Sequence, residues 1–250
     1  MQQVSDYPFL RRSHFDDILQ KPRTPYSKAA PFPHAVIDNF LPAGLADAVE
    51  QAFPTRKLES FDQPDNAFQK NKLGRTQDNE FVGVPATIRH LLYDLNGPVF
   101  VNFLERLTGI SGLIPDPHYR GGALHQILPG GFLKIHADFN QHRHLKLDRR
   151  LNVLIYFNKD WKPEYGGDLE LWDRDMSACV QKVSPIFNRG VIFSTTSTSY
   201  HGHPEPLQCP PDRTRNSIAM YYYSNGRPES ERRDFHSTLW QEPGAKPVDG

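Results

Sequence analysis

The segment FLKIHADF, residues 132–139, is the stretch from which the rest of the chain is interpreted. Its aromatic and β-branched residues are typical of a β-strand. Because side chains two residues apart on a strand point to the same face, His136 and Asp138 are expected to project side by side. Further segments of similar composition, each bounded by Gly, Pro, Asn or Asp, are also predicted strands: ALHQILPG (123–130), RLNVLIYFN (150–158), GDLELWD (167–173), GVIFSTTS (190–197) and RNSIAMYYYS (215–224).

These short strands follow one another without intervening helices, which favours an antiparallel sandwich or barrel. Helices are predicted upstream of them. Residues 43–53 lie between two prolines, and apolar residues repeat with helical spacing from Ile88 and again from Phe100. We expect these helices to pack on one outer face of the sheet. The polar, aperiodic residues 55–80 are expected to form a loop or lid outside the core.

The composition narrows the class of protein. A chain of 250 residues fits a single domain with a full hydrophobic core. Lys plus Arg and Asp plus Glu both number 29, so the formal net charge is zero and no overall field attracts nucleic acid or anionic lipid. Cys179 and Cys209 form no CxxC motif. Without a signal sequence or a window of about 18 apolar residues, the sequence predicts a cytoplasmic protein with no nucleic-acid or membrane partner.

His136 and Asp138 make up part of a possible metal site. Non-haem iron(II) is commonly held by two histidines and one carboxylate, which leave other coordination positions open. His201 and His203 follow the predicted strand 190–197, and either could supply the second histidine.

His142 and His144 are a competing pair of candidate ligands. They lie in HRHLKLDRR, a polar and basic stretch that is typical of a solvated loop. We therefore interpret them as surface or substrate-facing residues.

Arg215 and Ser217 are two residues apart at the start of a predicted strand, so they are expected to share a face. A guanidinium can bind a carboxylate through two parallel charge-assisted hydrogen bonds, and a neighbouring hydroxyl can add a third. Together they predict a binding site for a diacid, with Arg213 as the nearest alternative. Tyr156 lies in an apolar strand, where its hydroxyl requires a partner if buried; a core aromatic is the alternative interpretation.

The order of these motifs resembles that of the Fe(II)- and 2-oxoglutarate-dependent oxygenases, in particular the prolyl 4-hydroxylase-like branch. The resemblance covers roughly residues 120–225, and PFPHAVIDNFLP (31–42) resembles the first strand and helix of many bacterial members. The segments that carry it are LPGGFLKIHAD, RRLNVLIYFNKDW, GGDLELW, YHGHPEP and RNSIAMYYY.

The resemblance implies a mainly β fold with α-helices, a double-stranded β-helix or distorted jelly roll braced by N-terminal helices. It implies one oxygenase domain over residues 1–250. Within it, residues 1–115 form an N-terminal helical region, residues 116–226 form the jelly-roll core with the iron site, and residues 227–250 form a C-terminal extension.

The resemblance also assigns the metal ligands. His136, Asp138 and His201 are implied to bind iron. His201 is preferred to His203 because it occupies the histidine of the family's aromatic-His-Gly pattern.

Cosubstrate contacts are assigned in the same way. Arg215 is implied to pair with the distal carboxylate of 2-oxoglutarate, which the Tyr156 hydroxyl also reaches, and Ser217 completes an RxS pattern known from other branches. Where prolyl hydroxylases have a tyrosine before the glycine pair, this chain has Gln126, Ile127 and Leu128. We expect Gln126 to replace that tyrosine as a cosubstrate contact.

The implied activity is that of a dioxygenase that hydroxylates an unactivated C–H bond, uses O2, converts 2-oxoglutarate to succinate and takes ascorbate as a reductant. A carboxylate at Asp138 favours hydroxylation over halogenation, because the related halogenases have a small residue there. We expect a small molecule or conjugate as substrate, with residues 55–80 and 139–149 as candidate lids.

Other functions stay open at this point. A peptidyl, prolyl-type hydroxylase would use the same site on a protein side chain. A metal-binding cupin-like isomerase or hydrolase would use the same histidines but has no need of Arg215. A non-catalytic binding protein is a further alternative. Composition and motifs leave the oligomeric state open.

Overall fold

The computed structural model describes residues 10–54, 65–74 and 83–242. Within these ranges the α-helices are α1 (Arg12–Gln20), α2 (Ala43–Ala52), α3 (Ala86–Leu95) and α4 (Pro98–Thr108). The strands are β1 (His34–Asp38), β2 (Gln69–Gly74), β3 (Ile114–Pro115), β4 (Ala123–Ala137), β5 (Asp148–Tyr156), β6 (Leu169–Trp172), β7 (Cys179–Val183), β8 (Arg189–Ser194), β9 (His201–His203), β10 (Arg215–Ser224) and β11 (Leu239–Trp240).

The strands form one antiparallel sheet in the order β1-β8-β5-β10-β4-β9-β6-β7. In addition, β2 and β11 pair with β4, and β3 pairs with β10. Strands distant in sequence become neighbours, which is typical of a jelly roll. The predicted jelly roll braced by N-terminal helices is confirmed.

The segments 123–130 and 132–139, predicted as two strands, are one strand of 15 residues, β4, with Asp138 just beyond its end. Its first part pairs with β10 and its second part with β9. Strand β2 pairs with β4 on both sides of the Pro-Gly-Gly across a register shift, so this segment does not end the strand.

The helices bury their apolar faces against β5 and β10. Phe100 of α4 packs against Tyr222 of β10, with ring centroids 6.0 Å apart. Helix α1, which the sequence pattern did not predict, places Phe15 in the same cluster, 4.5 Å from the ring of Phe103. Phe15 and Ile18 are its only buried residues, so its periodic signal is weak.

The expectation that residues 55–80 form a loop or lid outside the core is corrected in part. Residues 55–64 and 75–80 lie outside the described residues. Between them, β2 pairs with β4, and Leu73 is buried in the core. One apolar residue among polar neighbours gives no alternation by which the strand could be recognised from sequence.

The stretch HRHLKLDRR, residues 142–150, also differs from its prediction as a solvated loop. His142 is fully buried, and its backbone N–H donates to Leu147, whereas His144 is exposed. The surface interpretation of His142 is therefore wrong, because the loop folds back and places that ring against Tyr223.

The N-terminal region 1–115 contributes strands β1, β2 and β3 to the sheet in addition to its helices, and the C-terminal extension contributes β11. No helix among the described residues is long and apolar enough to cross a bilayer.

Candidate active site

Three potential metal ligands meet where β4 and β9 pair. His136 and His201 lie directly opposite each other in the two strands, and Asp138 follows two residues after His136. The Nε2 atom of His136 is 3.8 Å from Oδ1 of Asp138, and that of His201 is 3.5 Å from Oδ2. One donor atom from each side chain lies within 4.8 Å of the others. The structure therefore brings together the residues predicted as iron ligands.

Both imidazole rings are oriented by hydrogen bonds on their other nitrogen. Nδ1 of His136 donates to the carbonyl of Lys134 at 2.8 Å, and Nδ1 of His201 donates to the carbonyl of Ser199 at 3.0 Å. A carbonyl can only accept, so the hydrogen is on Nδ1 and the Nε2 lone pair faces Asp138. Burial lowers the pKa of His136 to about 3, and it also lowers the pKa of His201. Both rings are therefore neutral and able to coordinate a metal.

The Asp138 carboxylate is held by two side chains of β5. Asn152 donates from Nδ2 to Oδ2 at 2.7 Å, and Nη2 of Arg149 lies 3.1 Å from the same oxygen. Burial alone would raise the pKa of Asp138, but the charge of Arg149 and the hydrogen bond from Asn152 help to keep the pKa well below its usual range. The carboxylate is ionised and directed toward the histidines.

Arg149 is itself almost completely buried. Its guanidinium carbon lies 4.4 Å from the ring centre of Phe139 and 3.6 Å from that of Tyr221, and Nε and Nη2 both donate to Oδ1 of Asn152. Sequence analysis missed this residue. The signal that could have revealed the network is Asn152, a polar residue on the inward face of an apolar strand.

Arg215 lies deeper in the sheet, and its Nε donates to the carbonyl of Gly167 at 2.7 Å. Its Nη2 donates to the hydroxyl of Tyr156 at 3.2 Å. Gly167 has φ +76°, and a Cβ there would lie 2.5 Å from Leu207 Cδ2 and 3.0 Å from Arg215 Cδ. The close approach explains why the Gly-Gly motif precedes β6.

A cavity of about 220 Å³ connects these groups. His136, Asp138, His201, Arg215 and Ser217 all line it. Tyr156 lies opposite Ser217 in the β5–β10 pair and is fully buried behind Arg215.

Gln126 does not line this cavity, which corrects its predicted cosubstrate contact. Its amide donates to the carbonyl of Pro54 at 2.7 Å, outside the cavity. Between this residue and His136, the pairings of β4 with β2 and with β9 both shift register. Such irregularities reset the alternation of side chains, so His125 and Ile127 face the cavity instead.

Arg213 is not an alternative to Arg215. Its Nη2 donates to the carbonyl of Lys159, away from the cavity. Asn140 and Trp172 do not line the cavity either: Asn140 donates to the carbonyl of Asp234, and Trp172 donates to the carboxylate of Glu170.

Residues 122–223 match a family model described as the 2OG-Fe(II) oxygenase superfamily. This match coincides with the part of the sheet that carries the His-Asp-His cluster and Arg215. Over these residues the jelly roll is similar to a 2OG-Fe(II) oxygenase domain.

Solved structures share the fold of this jelly roll. A prolyl hydroxylase from Trichoplax adhaerens, in complex with a hypoxia inducible factor peptide fragment, has a TM-score of 0.55 and 20% identity, over 76% of this chain and 83% of that chain. A Pseudomonas putida prolyl-4-hydroxylase has a TM-score of 0.53 and 16% identity, over 85% and 98%. HygX from Streptomyces hygroscopicus, with nickel, 2-oxoglutarate and hygromycin B bound, has a TM-score of 0.51 and 12% identity, over 82% and 92%.

The donor set formed by His136, Asp138 and His201 fits iron(II). Two neutral imidazole nitrogens and one ionised carboxylate converge from one side and face a cavity, as in sites of the two-histidine, one-carboxylate type. The hydrogen bonds on Nδ1 and from Asn152 supply the surrounding contacts that orient such ligands.

The cavity is also lined by residues that sequence analysis missed. Lys72 of β2 and Trp240 of β11 line the cavity, and so does His125. Burial lowers the pKa of Lys72 to about 8 and that of His125 to about 3. Lys72 and Trp240 are distant from the motifs in sequence, and only strand pairing with β4 brings them to the site.

Proposed function

We propose that this protein is an Fe(II)- and 2-oxoglutarate-dependent dioxygenase that hydroxylates an unactivated C–H bond of a small molecule or conjugate. The observation that supports this most strongly is that the His136, Asp138 and His201 cluster and Arg215 face one cavity. A cupin-like isomerase or a non-catalytic binding protein would account for the histidines but would not require a buried arginine there.

In this proposal the two histidines and Asp138 hold iron(II). The bound metal supplies, with 2-oxoglutarate and O2, the oxidation that yields succinate, carbon dioxide and a hydroxylated product. Asn152 and Arg149 keep the carboxylate ionised and directed at the site. Trp240, whose ring centroid lies 5.0 Å from that of His136, limits the movement of that ring and covers it from solvent.

Arg215 would hold the distal carboxylate of 2-oxoglutarate by a charge-assisted bond. Two of its nitrogens already bond to Gly167 and Tyr156, which fixes the guanidinium before the ligand arrives. Burial raises the pKa of Tyr156, so its phenol stays protonated. The buried hydroxyl of Ser217, on the same face, would add a further bond.

The pairing of β4 favours a small substrate over an extended peptide. At His136 this strand is bonded to His201 of β9 and also to Trp240 of β11. Both edges are occupied, so a peptide cannot add a strand beside the metal ligand. A second cavity of about 270 Å³ shares Phe139 and Thr238 with the first and offers room for the rest of a conjugate.

The direct test incubates the protein with iron(II), ascorbate and 2-oxoglutarate, and measures succinate. We expect slow succinate formation without substrate and faster formation with it. A mass-spectrometric search among metabolites and peptides then looks for a product that gains one oxygen atom. Absence of succinate formation with a broad substrate panel would contradict the proposal, and a peptide product would establish the prolyl-type alternative.

Replacement of Arg215 by Ala tests its assignment to the distal carboxylate. A hydrogen bond to a charged group contributes about 1.5–3 kcal/mol, which corresponds to about a 10- to 150-fold loss of affinity for 2-oxoglutarate. The affinity is measured by calorimetry on anaerobic, iron-loaded protein. Arg213→Ala is the matched control and is expected to bind as the wild type does. Equal losses in both variants would remove the role from Arg215.

The cytoplasmic location, the absence of nucleic-acid and membrane partners, and the use of ascorbate stay predictions of this proposal.

A further inference from the structure

Two polar side chains of the main cavity have no partner among the described residues. The first is His203, which is 4% exposed and lines the cavity. Neither of its ring nitrogens makes a hydrogen bond. Buried polar groups are nearly always hydrogen-bonded, and an exception points to a missing ligand or water. His203 is two residues from His201 on β9, and its ring faces the same cavity without joining the metal-ligand cluster.

The second is Lys72 on β2. It is half-buried, and no ion pair or hydrogen bond of its ammonium is found within the described part of the chain. It lies within electrostatic reach of Asp138, Arg215 and Arg149. The Asp138 carboxylate is already bonded to Arg149 and Asn152, so it is not a free counter-ion for the lysine.

The charges that line the cavity are therefore unbalanced. Among the described lining residues, Lys72, Arg149 and Arg215 are cations, and Asp138 is the one carboxylate. Arg149 is paired with Asp138, and in the proposed function Arg215 is paired with the distal carboxylate of 2-oxoglutarate. Lys72 is then a half-buried cation that lines the cavity without an anion. Its ammonium is available for a charge-assisted hydrogen bond to a ligand.

Lys72 and His203 lie close enough to act on one ligand group. Both line the same cavity as Arg215, and His203 lies within electrostatic reach of both Lys72 and Arg215. An ammonium provides charge and donors, and an imidazole provides a further hydrogen bond. A carboxylate matches both.

We propose that Lys72 and His203 bind a second carboxylate inside the cavity, in addition to the one that Arg215 holds. This inference rests on the proposed function. This carboxylate belongs either to the keto acid end of 2-oxoglutarate or to an acidic group of the substrate.

The experiment uses anaerobic, iron(II)-loaded protein in three calorimetric titrations. The ligands are 2-oxoglutarate, then 2-oxopentanoate, which has the same keto acid end but no distal carboxylate, and finally succinate added to protein saturated with 2-oxoglutarate. Lys72→Met removes the charge and retains the length of the side chain. Lys70→Met, at an exposed position of the same strand, is the matched control.

The two sources of the carboxylate predict different patterns of ligand affinity among the variants. If the keto acid end is bound, Lys72→Met weakens both 2-oxoglutarate and 2-oxopentanoate by about 10-fold or more, whereas Arg215→Ala weakens 2-oxoglutarate alone. If the substrate supplies the group, both keto acids bind normally to Lys72→Met, and succinate no longer binds to the saturated protein. His203→Leu is expected to follow the same pattern. Equal affinities of Lys72→Met and Lys70→Met in all three titrations overturn the inference.

Stability provides a readout that needs no activity. Because the ligand-free cavity holds an uncompensated cation, Lys72→Met is expected to raise the Tm of the ligand-free protein while weakening ligand binding. A lower Tm would show that Lys72 supports the fold instead. Wild-type protein that binds neither iron nor a keto acid would contradict the proposed function. In that case, the effect of succinate on the Tm of wild type and Lys72→Met still tests the anion site.

Discussion

The His201→Ala variant is expected to lose iron(II) binding and all 2-oxoglutarate-dependent formation of succinate. Removal of the His201 imidazole leaves only two protein ligands, His136 and Asp138. A two-histidine, one-carboxylate iron site needs three. Substitution of a residue that hydrogen-bonds to a metal ligand lowers metal affinity about 10- to 100-fold. Loss of a ligand itself is therefore expected to lower the affinity by more than about 100-fold. Anaerobic titration with iron(II) measures the affinity directly.

His144→Ala is the control for this variant, because it removes an exposed histidine of the neighbouring loop. It should bind iron normally. The His201 ring also packs on Phe193, with centroids 4.6 Å apart, so the Tm of each variant is measured alongside. If His201→Ala bound iron with wild-type affinity while His203→Ala did not, the assignment of the two histidines would be reversed.

The Asp138→Ala variant is expected to lose both turnover and much of the free energy of unfolding. Arg149 is buried against two aromatic rings, and Asp138 is its carboxylate partner at 3.1 Å. Removal of one partner of a buried ion pair costs about 3–5 kcal/mol, because an uncompensated charge stays in the interior. Chemical denaturation measures the loss.

A double variant separates the charge effect from a general loss of packing. Asp138→Ala combined with Arg149→Met should recover a large part of the stability, while remaining inactive. Asp38→Ala is the control, since it removes the partner of Arg189 in an exposed ion pair and should cost less than about 1 kcal/mol. Failure of the double variant to recover, or an equal loss in Asp38→Ala, would show that the Asp138–Arg149 pair does not act as described.

Much of the site was predictable where it depends on residues close together in the chain. The alternation of a strand places His136 beside Asp138, and Arg215 beside Ser217, and both pairs do line the cavity. The same rule failed for Gln126, because β4 changes register with both β2 and β9 between that residue and His136. Such an irregularity has no sequence signal beyond the Pro-Gly-Gly at 129–131, which alone does not show which face each residue takes.

The sequence by itself determined the predicted strands, their order along the chain and the residue types that could bind a metal and a diacid. Those features follow from backbone geometry over two to four residues, which neighbouring side chains reveal. The tertiary structure decided that His201, and not His203, completes the cluster, and that Arg149, Lys72 and Trp240 surround it. These positions depend on which strands pair and in which register, and pairing is set by packing between segments far apart in the chain, where local spacing carries no information.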